Sequence, residues 1–181
     1  MPRTLGQAIG FLFGLWLALS LWPFAASGAG LAQRDEGERR PEDTRTSGFP
    51  DLEASLHRGV NGVRAEQHLI PLERRAELDA VALAHSLDMV TRHYLAHESP
   101  EGHNALNRLE SAHVSGFSLA AENLGITDRP DPNREILRAW LASEVHRTNL
   151  YSPPFNATGI GIARAPNGSL VYTQVYVTYP R

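Results

Sequence analysis

Gly159–Tyr179 reads GIGIARAPNGSLVYTQVYVTY. Two runs rich in β-branched and aromatic residues, Gly159–Ala165 and Ser169–Tyr179, flank Pro166-Asn167-Gly168. Asn-Gly between such runs is the strongest short hairpin signal, because both residues tolerate the positive φ of a tight turn. The chain therefore closes on antiparallel β-structure.

Upstream the period changes from two to that of a helix. From Glu73 to Leu95, apolar residues recur at Ala76, Ala80, Leu83, Leu87, Val90 and Tyr94. These spacings of three and four predict one stripe facing a core, which His97 continues at or just past the helix end. An earlier helix is expected from an Asp51 cap to about His68, with Leu52, Leu56, Val60 and Val63 inward and Pro71 beyond its end. A shorter helix carries Ala105, Leu106 and Leu109. A fourth, about Asn133 to Ser143, would bury Ile136, Leu137, Trp140 and Leu141. Ser118–Ile126 reads as irregular or briefly extended. Helices first and a hairpin last give an α+β fold with helices covering a small sheet, whose strand order stays open.

The N-terminal third differs in kind. Arg3, an apolar run from Ile9 to Phe24 and the small residues Ala25–Ala32 have the order of a secretory signal peptide, expected over 1–32. The apolar run is short for a membrane span, so no stable span is expected after cleavage. Residues 33–50 are charged and Pro/Gly-containing, with almost nothing to bury, and read as a disordered linker. The folded part is then 51–181, long enough for one core without staples.

Composition narrows the function classes. The chain has 42% hydrophobic and 20% charged residues and a net charge of −3, with no basic stripe, so nucleic acid is not an expected partner. Cysteine is absent, which excludes disulfides, thiolate metal sites and a Cys nucleophile. A secreted domain of this size without cysteine favours a bacterial source.

Three residues stand out for chemistry: His97 at a helix end, Glu122 in a polar interruption of an apolar segment, and His146 after the fourth helix. Two imidazoles and a carboxylate suit a divalent metal with open positions, zinc first, and equally suit acid–base work near neutral pH. Spacing alone does not bring them together. His93 and His97 stand four apart, a metal-sharing spacing, but His93 reads as exposed, and His85 as a hydrogen-bonded structural residue. No G-x-S-x-G is present, and Ser99 beside His97 is no evidence of a dyad.

Several blocks in order carry a family resemblance. They are Asn61-Gly-Val-Arg64 with Leu69-Ile-Pro71-Leu72; Ala84-His85 through His97-Glu-Ser99-Pro100-Glu-Gly102; Ala121-Glu122-Asn123-Leu124; and Trp140-Leu-Ala-Ser143-Glu-Val-His146-Arg147-Thr-Asn149-Leu150. Phe155 to Gly161 and Tyr172-Thr173-Gln174-Val175 complete the set. Together they resemble the bacterial branch of the CAP superfamily (cysteine-rich secretory, antigen 5 and pathogenesis-related-1 proteins; the SCP domain), over nearly all of 51–178.

The resemblance implies an α-β-α sandwich with a small, mostly antiparallel sheet and a surface cleft. By position His97, Glu122 and His146 would line that cleft, where some members hold a divalent metal. Departures accompany it. Val171 stands where animal and plant members place a histidine, Ala121 and Ala96 replace a usual glycine and serine, and Glu144 replaces a usual proline. The first functional reading is an exported, periplasmic or extracellular binding module with a protein or envelope ligand. The alternatives are a metal-assisted, peptidase-like hydrolase using Glu122 with His97 and His146, and lipid or sterol binding.

Overall fold

The computed structural model describes residues 48–180. The expected signal peptide, and the linker up to residue 47, lie outside the described residues. The described elements run α1 (Pro50–Glu66), β1 (Glu73–Arg74), α2 (Ala76–Arg92), α3 (Ala105–Ser111), β2 (Leu119–Thr127), α4 (Pro132–Ala142), α5 (Glu144–Leu150), β3 (Ala157–Arg164) and β4 (Leu170–Thr178). The sheet order is β1-β3-β4-β2, with β1 parallel to β3 and the other pairs antiparallel.

The hairpin forms where the sequence placed it. Gly168 has φ +91°, and Ala165 N–H donates to Ser169 O at 2.8 Å, closing a three-residue loop. The period of two along β4 sends Leu170, Tyr172 and Tyr176 to one face and Val171, Val175 and Val177 to the other. The first face packs under α1, α4 and α5 with Leu56, Val60, Ile136, Trp140 and Leu150. The second packs under α2 and α3 with Leu78, Val81, Ala82 and Leu109. Helices thus cover both faces, an α-β-α sandwich.

Four local expectations are corrected. Asp51 is not the cap of α1: the N-cap is Phe49, two residues earlier, with no side-chain cap bond, and Pro50 is the first helical residue. Proline is suited to a first helical position because it has no N–H to leave unpaired. The segment expected to be irregular or briefly extended is a nine-residue strand, Leu119–Thr127, since pairing with β4 overrides the weak strand propensity of its Glu and Asn. His146 follows the fourth helix as expected, but it lies within a further short helix, α5, that the sequence reading did not include.

The fourth correction concerns α2, which starts at Ala76 because Glu73–Arg74 is taken up as β1. Its buried face is Leu78, Val81, Ala82, His85, Ser86 and Met89, whereas Ala76 and Ala80 are exposed. The reason is close backbone approach. A Cβ at Gly159 would lie 2.0 Å from Leu78 C, and one at Gly161 would lie 2.0 Å from Leu83 N. Such a seam admits small and polar residues, and Ser86 Oγ accordingly reaches Gly161 O and Thr173 Oγ1, both at 2.9 Å. The expected stripe began on Ala76 and Ala80 and so followed the flank of the helix, passing by Leu78, Val81 and Met89.

Both sheet edges are capped by side chains. Trp140 Nε1 donates to Leu124 O (2.8 Å) and Asn149 Nδ2 to Glu122 O (3.2 Å) beside β2. Past the two-residue β1, Asp79 accepts from Ile160 N–H and Glu53 from Ile162 N–H. Unpaired edge groups template association with another chain, and these caps close them.

Candidate functional site

Glu122 sits mid-strand on β2, opposite Val175, so its side chain points toward the α2 and α3 face. There it is 4% exposed, a position that an ionised carboxylate holds only when paired. Two partners provide this. Arg108 Nη2 lies 2.9 Å and 2.8 Å from the two carboxylate oxygens, and His97 Nδ1 lies 2.9 Å from Oε1. Burial alone would raise the Glu122 pKa, but the His97 hydrogen bond and the Arg108 charge outweigh it and hold it below the ordinary value.

Arg108 also fixes the loop that carries His97. Its guanidinium donates to His97 O at 3.1 Å and to His103 O at 2.8 Å. The loop is closed further by Gly102 N–H to Ser99 O (2.8 Å), with Gly102 at φ +82°, and by Arg92 on Glu101 and Asp88. With Nδ1 on the carboxylate, the His97 ring is oriented and its other edge turns outward, the side chain being 51% exposed.

The second histidine arrives from the opposite layer. Asn123 Nδ2 donates to His146 O at 3.0 Å, and Asn149 Nδ2 donates to Asn123 Oδ1 at 2.9 Å, tying α5 to β2. His146 is half-buried. Burial first, and then the His97 charge, lower its pKa, so the two histidines are within electrostatic reach. The structure thus brings His97 and Glu122 into contact, and ties the helix that carries His146 to the same strand through Asn123.

The remaining residues fall elsewhere. Gln174 bonds Thr158 Oγ1 and Tyr176 OH, and Thr173 takes the Ser86 bond, so both work inside the sandwich. Glu144 opens α5 as an exposed residue, and Ser99 Oγ donates to Glu101 rather than to His97. His93 is an exposed residue with φ +58° ending α2, as His68 (φ +57°) and His113 (φ +58°) end α1 and α3. These are helix-end positions that more often hold Gly or Asn.

One residue of the site escapes sequence reasoning. Arg108 reads as one more surface charge on a seven-residue helix, because its partner is 14 residues away on a strand. His85 is the hydrogen-bonded structural residue that the sequence suggests: it is 1% exposed, donates from Nε2 to Ala96 O at 3.1 Å, and has its pKa pushed down to about 4 by burial.

As direct ligands, His97, Glu122 and His146 do not fit a metal ion. The Glu122 oxygens already take three hydrogen bonds, and a guanidinium, itself a cation, occupies the place a metal would need. Among the described residues no three His, Cys, Asp or Glu side chains form a metal-holding group.

The chain is 32% identical over 118 residues to the uncharacterized protein YkwD of Bacillus subtilis (strain 168), covering 65% of this chain and 44% of that protein. Among solved structures, an extracellular SCP-domain protein from Bacillus anthracis is 29% identical, with a TM-score of 0.64 over 79% of this chain and 45% of that one. This chain therefore spans less than half the length of either Bacillus relative. An outer surface protein of Borrelia burgdorferi, 16% identical, shares the fold with a TM-score of 0.67, covering 75% of this chain and 99% of that one. The family sequence model described as CAP, the cysteine-rich secretory protein family, matches residues 57–176, and the chain belongs to that family.

Proposed function

We propose that this protein is an exported binding module of the cell envelope that presents the cleft around His97, Glu122 and His146 to a protein or envelope ligand. The observation carrying this reading is the Arg108 clamp. A carboxylate held ionised by a guanidinium and lowered in pKa is a weak base, so Glu122 serves to orient His97 rather than to take a proton from water. His97 then offers one outward ring edge, with no serine hydroxyl bonded to it to act as a nucleophile. The extracellular and outer-surface relatives support the location.

The test uses the full chain and isolated cell envelopes. Sedimentation with envelopes is expected to fall by about tenfold, a 1.4 kcal/mol step, in a His97→Ala/His146→Ala variant. Equal sedimentation of both proteins removes the cleft from the function. Peptide turnover that disappears in Glu122→Gln would restore the hydrolase. Zinc is expected to bind weakly, through the two imidazoles alone. Tight one-to-one binding by calorimetry would put a metal where the structure has an arginine.

A further inference from the structure

Leu95 to Glu98 lie outside every helix and strand, and among the described residues no backbone–backbone hydrogen bond involves any of the four. Side chains hold this stretch instead. His85, on α2, donates from Nε2 to Ala96 O at 3.1 Å, and Arg108, on α3, donates from Nη1 to His97 O at 3.1 Å. The first carbonyl belongs to the peptide unit that enters His97, the second to the unit that leaves it. Peptide units are planar, so fixing two successive units fixes φ and ψ of the residue between them, and with them its Cα–Cβ direction. Holding these two carbonyls therefore aims the His97 ring, whose Nδ1 lies 2.9 Å from Glu122 Oε1.

Two of the three holding side chains support each other, since Arg108 Nη2 lies 2.8 Å from Glu122 Oε2. His85 stands apart. Its one hydrogen bond is to Ala96 O, and its Nδ1 is cut off from solvent without a partner. A side chain present only to fill this 1% exposed site would be better apolar, because a buried unpaired nitrogen is costly. What the imidazole adds over an apolar filler is the donor for Ala96 O.

We propose that His85 is a positioning residue of the cleft: by holding Ala96 O it fixes the peptide plane entering His97 and keeps the His97 ring on Glu122. The inference rests on the reading of that cleft as the binding site.

The full chain is labelled with ¹⁵N-histidine, and ring tautomers are read by long-range ¹H–¹⁵N NMR in mildly alkaline solution. In the wild type, His97 is expected as the Nδ1–H tautomer, set by Glu122, and His85 as the Nε2–H tautomer, set by Ala96 O. His85→Phe fills the site but cannot donate, so His97 should move toward the Nε2–H tautomer that a free imidazole favours. His85→Gln, whose amide can donate to Ala96 O, should return His97 toward Nδ1–H. Sedimentation with envelopes should fall in the first variant and recover in the second. Should His85→Phe not fold, His85→Met fills the site more flexibly and carries the same expectation. The proposal is overturned by a wild-type His85 in the Nδ1–H tautomer, by an unchanged His97 in a folded apolar variant, or by no recovery in His85→Gln. The tautomers are read without ligand. Equal sedimentation of the wild type and His97→Ala/His146→Ala would therefore remove the binding role of the cleft while leaving the positioning of His97 to stand on its spectrum.

Discussion

Arg64 and Arg108 are both largely withdrawn from water, one in each layer over the sheet, and they do different work. Arg64 is fully buried under α1 and donates to four backbone carbonyls, Ile70 O at 3.0 Å, Leu150 O at 2.7 Å, and Ser152 O and Phe155 O at 3.1 Å. It ties the end of α1 to α5 and to the entry of β3. Arg108, 13% exposed, donates to a carboxylate and to the carbonyls of a loop, and keeps one nitrogen unpaired. The α1–α4–α5 layer around Arg64 is satisfied throughout: Trp140, Asn123 and Tyr176 all find partners. The α2–α3 layer holds the unpaired atoms of His85 and Arg108. One layer has its polar groups closed by the fold, whereas the other keeps some of them open, the pattern expected where function competes with stability.

Removing Arg64 should produce the largest effect. In Arg64→Leu, four buried carbonyls lose their donor, and urea unfolding is expected to show a loss of about 3–5 kcal/mol. A loss below about 1 kcal/mol would mean that this layer is not held by that residue. Arg64→Lys should recover only part, since an ammonium cannot fork to all four acceptors.

Acidification tests the other layer. His85 is held down to about 4 in the fold against an ordinary 6.5, so between these values the unfolded chain binds a proton that the folded chain does not. Stability should therefore fall as pH drops from about 6.5 to 4, by about 3 kcal/mol from this residue. Glu122, lowered in the fold, adds a further loss only below the ordinary carboxylate range. A His85→Phe variant should flatten the upper window and keep the lower one. An unchanged profile would show that His85 is not buried neutral.

Arg108→Met is expected to cost about 1.5–3 kcal/mol, the value of hydrogen bonds to a charged group, and to raise the Glu122 pKa as burial is then opposed mainly by the His97 hydrogen bond. Carboxyl NMR titration reads this directly. A Glu122 that still titrates below the ordinary range would transfer the clamp to His97. The smallest effect is expected at the end of α2, where His93→Gly should gain no more than about 1 kcal/mol by relieving a left-handed residue. Thermal melting measures it, and a clear loss would show that His93 makes contacts the structure does not contain.

Legibility followed the range of each cause. The hairpin was readable because Asn167-Gly168 and the alternation of β4 are contiguous in the chain, and every determinant lies within about twenty residues. The inward face of α2 was misread because it is set by Gly159 and Gly161, about eighty residues beyond the residues they touch, which let the helix backbone touch the strand. β2 was misread for a related reason, since Glu122 and Asn123 look like a polar break until Val175 and Gln174 are placed opposite them. His97, Glu122 and His146 could be picked out from residue type and family resemblance, but Arg108 could not, because an arginine on a short helix carries no sign of where its partner lies.

By itself the sequence determined the four helices α1 to α4, the closing hairpin, the family, and the residue types available to a site, all of which depend on local period or on residue identity. Tertiary structure decided sheet order, which side of α2 faces inward, and that Glu122 meets Arg108. The reason is physical. Burial and charge pairing are properties of three-dimensional neighbours, and a side chain 4% exposed takes its protonation and its role from whatever the fold brings against it.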